Sequence, residues 1–393
     1  MESYVTKKIR INLKLLAAFN FFTDFRLYIP IAILYFAKVS GSFTLGMSVF
    51  TIIALAQTVF EVPTGILSDK FLHRKGSIQC GALASFIALA CYAYAPSYTW
   101  LAGGAILEGL ARSFYSGTKE ALLYETLKEN NQENEYHHYQ GKVVAMFQFA
   151  AFGASVLGAG AVLYSYKLVM WLSVIPQLVC MIISLFFVEP KMHTKQINHN
   201  IWAHIRESLK QFKHNKRLRW LAIANTVNWS FAETSYQFQS AFVKLIVPEW
   251  ALSLIRSLKS LASALGFWFA GKIINKFGYF KIFINSHIIA LALNLTAVLL
   301  KNIFSPFLLV VNSVFFGVTS IAKDTLLQKE FTHRERATLG SFVSLAQSLG
   351  FACVALMIGY IADITNPAIA LFIAFAAPKL IILPIYWRLL RKK

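Results

Sequence analysis

The sequence predicts an all-α membrane protein, with twelve transmembrane helices in two pseudo-symmetric six-helix bundles. Three observations carry this expectation. Of the 393 residues, 57% are hydrophobic and only 14% are charged, whereas a soluble domain keeps about 25% charged residues to cover its surface. Apolar runs of spanning length follow one another along the whole chain, at roughly 30 residues for each span and its connector, which leaves no room for a large soluble domain. Finally, two loop sequences of the first half recur in the second at nearly one offset.

The runs lie at about 13–37, 43–67, 76–95, 98–118, 142–164 and 167–188 in the first half. In the second half they lie at about 218–243, 250–271, 279–301, 305–323, 338–362 and 366–388. All are continuous, without alternation of apolar and polar residues, so helices are expected rather than barrel strands. Residues 1–190 and 217–393 are then the two bundles, joined by a linker at 191–216. The opening residues, MESYVTKKIRINLK, are basic but lead into a full-length apolar run with no small-residue cleavage site, so the first helix is expected to be retained.

A formal charge of +20 would suggest nucleic acid in a soluble protein, but here the placement of the basic residues matters more than their sum. Twenty-nine Lys and Arg fall in the tails and connectors on the side of the N-terminus, against Lys38, Lys167, Lys244 and Lys301 on the other side. Excess Lys and Arg marks the cytoplasmic face, so a multi-pass inner-membrane protein with both termini inside is expected, without nucleic acid.

In the linker, Trp202, Ile205, Leu209 and Phe212 recur at helical spacing among Lys, Arg and His, the pattern of an amphipathic helix on an anionic leaflet. His193, His199, His204 and His214 have irregular spacing and no accompanying cysteine or carboxylate cluster, so they read as surface residues and no metal or cofactor is expected. Cys80, Cys91, Cys180 and Cys353 lie inside apolar runs and read as packing residues rather than a disulfide framework.

Gly65, Asp69, Lys70, Phe71 and Lys75 after span 2 match Gly271, Asn275, Lys276, Phe277 and Lys281 after span 8, each 206 positions later. Lys119-Glu120-Ala121-Leu122-Leu123 matches Lys323-Asp324-Thr325-Leu326-Leu327 at an offset of 204. Two echoes at nearly one offset argue for duplicated halves, as in transporters with parallel repeats.

The run Gly65-Ile66-Leu67-Ser68-Asp69-Lys70-Phe71-Leu72-His73-Arg74-Lys75 resembles the loop signature of the major facilitator superfamily, with Leu72 where the family usually has Gly. Glu61-Val62-Pro63-Thr64-Gly65, together with Ser116-Gly117-Thr118-Lys119-Glu120-Ala121-Leu122-Leu123-Tyr124, is similar to a broad bacterial branch described as drug or metabolite exporters. The resemblance implies a gating role for Asp69, Arg74 and Glu120. Asp69 would accept from the start of helix 11 near Gly340 and Ser341, while Arg74 would pair with Glu120; helix-end and guanidinium chemistry suit both contacts. The family's arginine early in helix 4 would fall at Ala105, and Arg112 comes two turns later.

Ionisable residues at membrane depth usually face a cavity or one another. The proton-coupling candidates are Asp24, Glu108, Glu61 and Glu233. Substrate-binding candidates are Asn20, Tyr28, Arg112, Trp229, Tyr236 and Lys259. At 1.5 Å per residue, Asp24 and Arg112 lie about 20 Å below the outer ends of their helices and are expected to meet, as are Glu233 and Lys259. Glu108 and Arg112 have ion-pair spacing. Arg26 lies about 200° around a continuous helix from Asp24 and so is expected to face away from its cavity; Lys379 reads as a structural pair or a snorkelling side chain.

No phosphate-cradling loop, spaced metal ligands or nucleophile motif occurs, so no enzyme is expected and the energy source should be an ion gradient. The leading expectation is a monomeric secondary active transporter, exporting small amphipathic metabolites or drugs by proton-coupled alternating access. The alternative is an importer or symporter of a small anionic solute, drawn by Arg26, Arg112, Arg256 and Lys259.

Overall fold

The computed structural model describes residues 2–190, 216–330 and 336–390; the linker helix and its four histidines lie outside them. Every predicted span but the first falls mainly on one helix. The first half contains α1 (Glu2–Asp24), α2 (Ala32–Ser40), α3 (Phe43–Leu67), α4 (His73–Tyr94), α5 (Tyr98–Tyr115), α6 (Thr118–Lys128), α7 (Tyr136–Ala161) and α8 (Tyr166–Leu185). The second contains α9 (Lys216–Val243), α10 (Glu249–Phe277), α11 (Tyr279–Leu300), α12 (Ser305–Glu330), α13 (Arg336–Ile364) and α14 (Pro367–Leu390).

These helices expose large apolar side chains and bury several polar and charged ones, which a soluble fold avoids. Trp268 and Leu380 are 82% and 78% exposed, whereas Glu108, Gln177 and Thr234 are fully buried. Among the described residues, six stretches are long and apolar enough to cross a bilayer. Besides α11 and α12, whose apolar stretches are shorter, the predicted spans absent from that set are α5, α9 and α10, which carry Glu108 and Arg112, Glu233, and Arg256 and Lys259. Their hydropathy is diluted by the ionisable groups that the interior holds.

The first span departs from the continuous helix expected. Helix α1 stops at Asp24, and the chain turns through Phe25–Tyr28 into a short 3-10 helix, Ile29–Ile31, before α2. Pro30 disfavours helical geometry at the residue before it and has no N–H to continue the ladder. The freed carbonyls are not orphaned. Gln177 Nε2 donates to Phe22 O and Thr23 O, both at 3.3 Å, and Arg26 Nε donates to Thr23 O at 2.9 Å.

The described residues group into two compact units. One draws on Met1–Ser40 and Ile52–Gln196, the other on Gly41–Thr51 and Ile197–Lys393. In the first, α4 packs on α5 and α8, and α1 packs on α7 and α8, around Leu16, Phe19, Ile78, Leu123 and Phe187. In the second, α10 packs on α12, and α9 on α13 and α14, around Leu221, Ile274, Ile282 and Ile382. Gly317 lets α12 approach α10 closely, since a Cβ there would meet Ser263 O at 2.7 Å; small residues serve helix contacts in lipid in this way. The second unit includes the first turn of α3, whose Phe43 and Thr44 amides donate to the Asp363 carboxylate at 2.7 and 2.8 Å. The Thr44 hydroxyl adds a third bond at 2.6 Å.

Candidate functional site

The break in α1 determines what gathers in the first unit. Because the helix ends at Asp24, Arg26 does not continue its wheel but folds back under the last turn. Its Nη1 reaches Glu108 Oε1 on α5 at 2.5 Å. Arg112, one turn along α5, donates to the same oxygen through Nη2 at 2.7 Å and Nε at 3.2 Å. Tyr92 OH takes the other oxygen, Oε2, at 3.0 Å. Glu108 is therefore fully buried with both oxygens engaged, and burying a carboxylate in this way is tolerable only because charge and hydrogen bonds are both matched. The expected spacing pair Glu108–Arg112 is present. Arg26, expected to face away from the cavity, is instead a member of the cluster.

Asp24 has a different position. Asp24 and Arg112, expected to meet, form no ion pair; among the described residues the Asp24 carboxylate has no hydrogen-bond or ion-pair partner. It lines a pocket of about 170 Å3 with Asn20, Lys119, Glu120, Gln140, Val143 and Phe147. Lys119 Nζ donates to Asn20 Oδ1 at 2.7 Å and lies 5.4 Å from the Tyr115 ring centroid. Arg26, Lys119 and Arg112 are the positive charges whose fields reach Asp24. Tyr28, placed on one stripe with Asn20 and Asp24 by helical spacing, lies beyond the break and is buried near the Phe36 and Tyr92 rings.

The hairpin after α3 holds a second cluster. Its turn, Ser68–Leu72, ends at His73 with φ 54°, a left-handed residue next to the position where the superfamily signature has glycine. Arg74 Nη1 meets Asp69 Oδ1 at 3.2 Å, while its Nη2 and Nε meet Glu125 Oε1 at 3.0 and 3.2 Å. The partner of Arg74 is thus Glu125, not Glu120. Five residues, about 1.4 helical turns, separate the two acids, and the loop carries Arg74 to the buried one. Burial alone lowers the Arg74 pKa, but the bonds to Glu125 and Asp69 outweigh it and raise the value overall. Glu189 accepts from the Arg74 and Lys75 amides at 2.9 and 2.7 Å and so caps α4. Gly340 and Ser341 fall among residues whose side chains are outside the description. Glu61, on α3, lies 3.5 Å from the Ser116 hydroxyl.

In the second unit, the expected Glu233–Lys259 contact is replaced by two local ones. Glu233 accepts from Gln237 at 2.7 Å, and Lys259 donates to Gln239 Oε1. Arg256 and Lys259 both lie over the Tyr236 ring, at 4.1 and 5.6 Å from its centroid. Trp229 packs edge-on against Phe351, and Lys379 donates to Asn228 Oδ1 at 3.1 Å rather than snorkelling free.

Buried ion clusters inside helices with an apolar exterior, together with a pocket at a broken helix, define a multi-pass helical membrane protein. The chain belongs to the Major Facilitator Superfamily, whose family model matches residues 15–329. It is 30% identical over 177 residues to the uncharacterized transporter BU466 of Buchnera aphidicola subsp. Acyrthosiphon pisum (strain APS), an alignment covering 45% of this chain and 43% of that relative. Its fold is similar to the crystal structure of the nucleoside transporter NupG, with a TM-score of 0.78, 16% identity, and coverage of 97% of this chain and 100% of that one. It is also similar to the E. coli fucose:proton symporter FucP, with a TM-score of 0.60, 16% identity, and coverage of 97% and 99%.

Proposed function

We propose that the protein exports small amphipathic metabolites or drugs across the inner membrane by alternating access, in exchange for protons. One observation carries this reading: the Asp24 carboxylate faces a pocket without an ion-pair partner among the described residues, while neighbouring Glu108 is fully engaged by Arg26, Arg112 and Tyr92. A carboxylate placed among cations changes its proton affinity with their engagement, so a solute that occupies Lys119 or Asn20 and a proton on Asp24 affect one another. Glu108 in this reading positions the two guanidiniums. Asp69, Arg74 and Glu120 belong to the gate on the cytoplasmic side, to which we add Glu125 as the anchor of Arg74. FucP, of similar fold, is a fucose:proton symporter, which supports a proton as the coupling ion without bearing on direction.

The test uses proteoliposomes with an imposed pH gradient and a panel of amphipathic compounds. At least one compound is expected to accumulate against its gradient when the proton gradient opposes its movement, and to stop when a protonophore is added. Equilibration of the whole panel without any response to pH would contradict the proposal.

A further inference from the structure

We infer that Arg256, Lys259, Tyr236 and Gln239 form a binding site for an anionic group, a carboxylate or phosphate monoester, on the transported molecule. The inference rests on the transport reading above and adds the substrate's chemical class. Arg256 and Lys259 stand seven and ten residues into α10, so Lys259 lies about 15 Å along the helix from its start, at membrane depth. Among the described residues, neither cation has a carboxylate within ion-pair distance.

The contrast with the first unit gives this its force. There, two guanidiniums at depth converge on Glu108. Here, the one nearby acid on α9, Glu233, is turned to Gln237, and the two cations have only a ring face and an amide oxygen. Two like charges held together in a low-dielectric interior are unfavourable without an anion. Tyr236 is 41% exposed, so its ring supports the pair from one side and leaves room on the other. Arg256 supplies a fork matched to a carboxylate or phosphate, and Lys259 a point charge. The depth of Lys259 separates it from lipid phosphates, which stay at the headgroup level, so a solute is the source of the anion.

The experiment measures thermal stabilisation of the full chain in neutral phosphatidylcholine nanodiscs. The probes are 4-phenylbutyrate and phenyl phosphate, each against a neutral counterpart, 4-phenylbutyramide and phenol. The anions are expected to raise the melting temperature and the neutral compounds to leave it unchanged. Arg256→Gln and Lys259→Gln should each weaken the anion effect by about tenfold in half-saturating concentration, with Lys259→Arg retaining most of it. Without ligand, Lys259→Gln should melt higher than the unsubstituted protein, since one of two neighbouring like charges is removed. Equal response to anions and neutral compounds would overturn the inference, as would stabilisation by phosphatidylglycerol alone, or a Lys259→Gln protein that melts lower yet keeps the full anion response. Proton-driven accumulation of a neutral compound, with no anion effect, would overturn this inference and leave the transport reading standing. Anion stabilisation without any proton-driven transport would do the reverse.

Discussion

Arg26 reaches Glu108 at 2.5 Å while its Nε caps the carbonyl of Thr23 at 2.9 Å. One guanidinium thus closes the broken end of α1 and ties it to α5. The end of a helix carries partial negative charge, so a cation there is favoured twice.

Removing Glu108 strands two guanidiniums, whereas removing Arg26 leaves Glu108 paired with Arg112. Glu108→Gln is therefore expected to lose about 3 to 5 kcal/mol of stability, and Arg26→Gln less. The double substitution should lose less than the sum of the two. Denaturation in detergent measures all three, and strictly additive losses would mean that the pair is not coupled.

Asp69 is 45% exposed beside Arg74, so the contact contributes less than about 1 kcal/mol to the folded protein. Asp69→Asn is expected to leave insertion and melting unchanged but to slow transport strongly, because in the proposed gate its charge acts in only one of two alternating conformations. Wild-type turnover in this variant would remove Asp69 from the gate. Glu125→Gln, which undoes the buried half of the Arg74 contact, should by contrast lower the melting temperature as well.

Much of this was legible in the sequence, for a physical reason: backbone polar groups facing lipid must be satisfied within helices, so the apolar runs appear as helices except where the protein interior satisfies the break in the first. The side-chain meetings were less legible. Helical-wheel reasoning carried the angle between Asp24 and Arg26 through a chain that Pro30 breaks, and so turned Arg26 away from the cluster it completes. Pairing by depth put Lys259 with Glu233, but Gln237, one turn from Glu233, is a closer partner. The resemblance pointed Arg74 at Glu120, although Glu125 in the same stretch is the acid that packing buries. Glu189 and Asp363 were missed because a helix cap is set by where a turn begins. Pro30, four residues after Arg26, was the one available signal of the break.

Asp363 caps the amides of Phe43 and Thr44 and accepts from the Thr44 hydroxyl. Asp363→Ala should cost about 1 kcal/mol, the usual loss for a helix cap, and Thr44→Val should account for part of the same loss rather than adding to it. Melting curves of the two single variants and the double variant decide this. Independent, additive losses would show that Asp363 does not act through the start of α3.

The uneven loop charges predict an orientation that labelling can test. In a background lacking the four free cysteines, a cysteine at Gln132 is expected to react only with reagents admitted to the cytoplasm, and one at Tyr164 to react from outside. Both positions are exposed. Outside labelling at Gln132 would invert the topology.

The most direct measurement compares Asp24→Asn with the unsubstituted protein in proteoliposomes, reading proton-driven accumulation and gradient-free exchange of the same compound. With Asp24 as the proton carrier, the variant loses accumulation and keeps exchange, because the movement between conformations does not itself need the charge. If Asp24→Asn still concentrates the compound in response to a pH gradient, Asp24 does not couple transport to protons and the central claim fails.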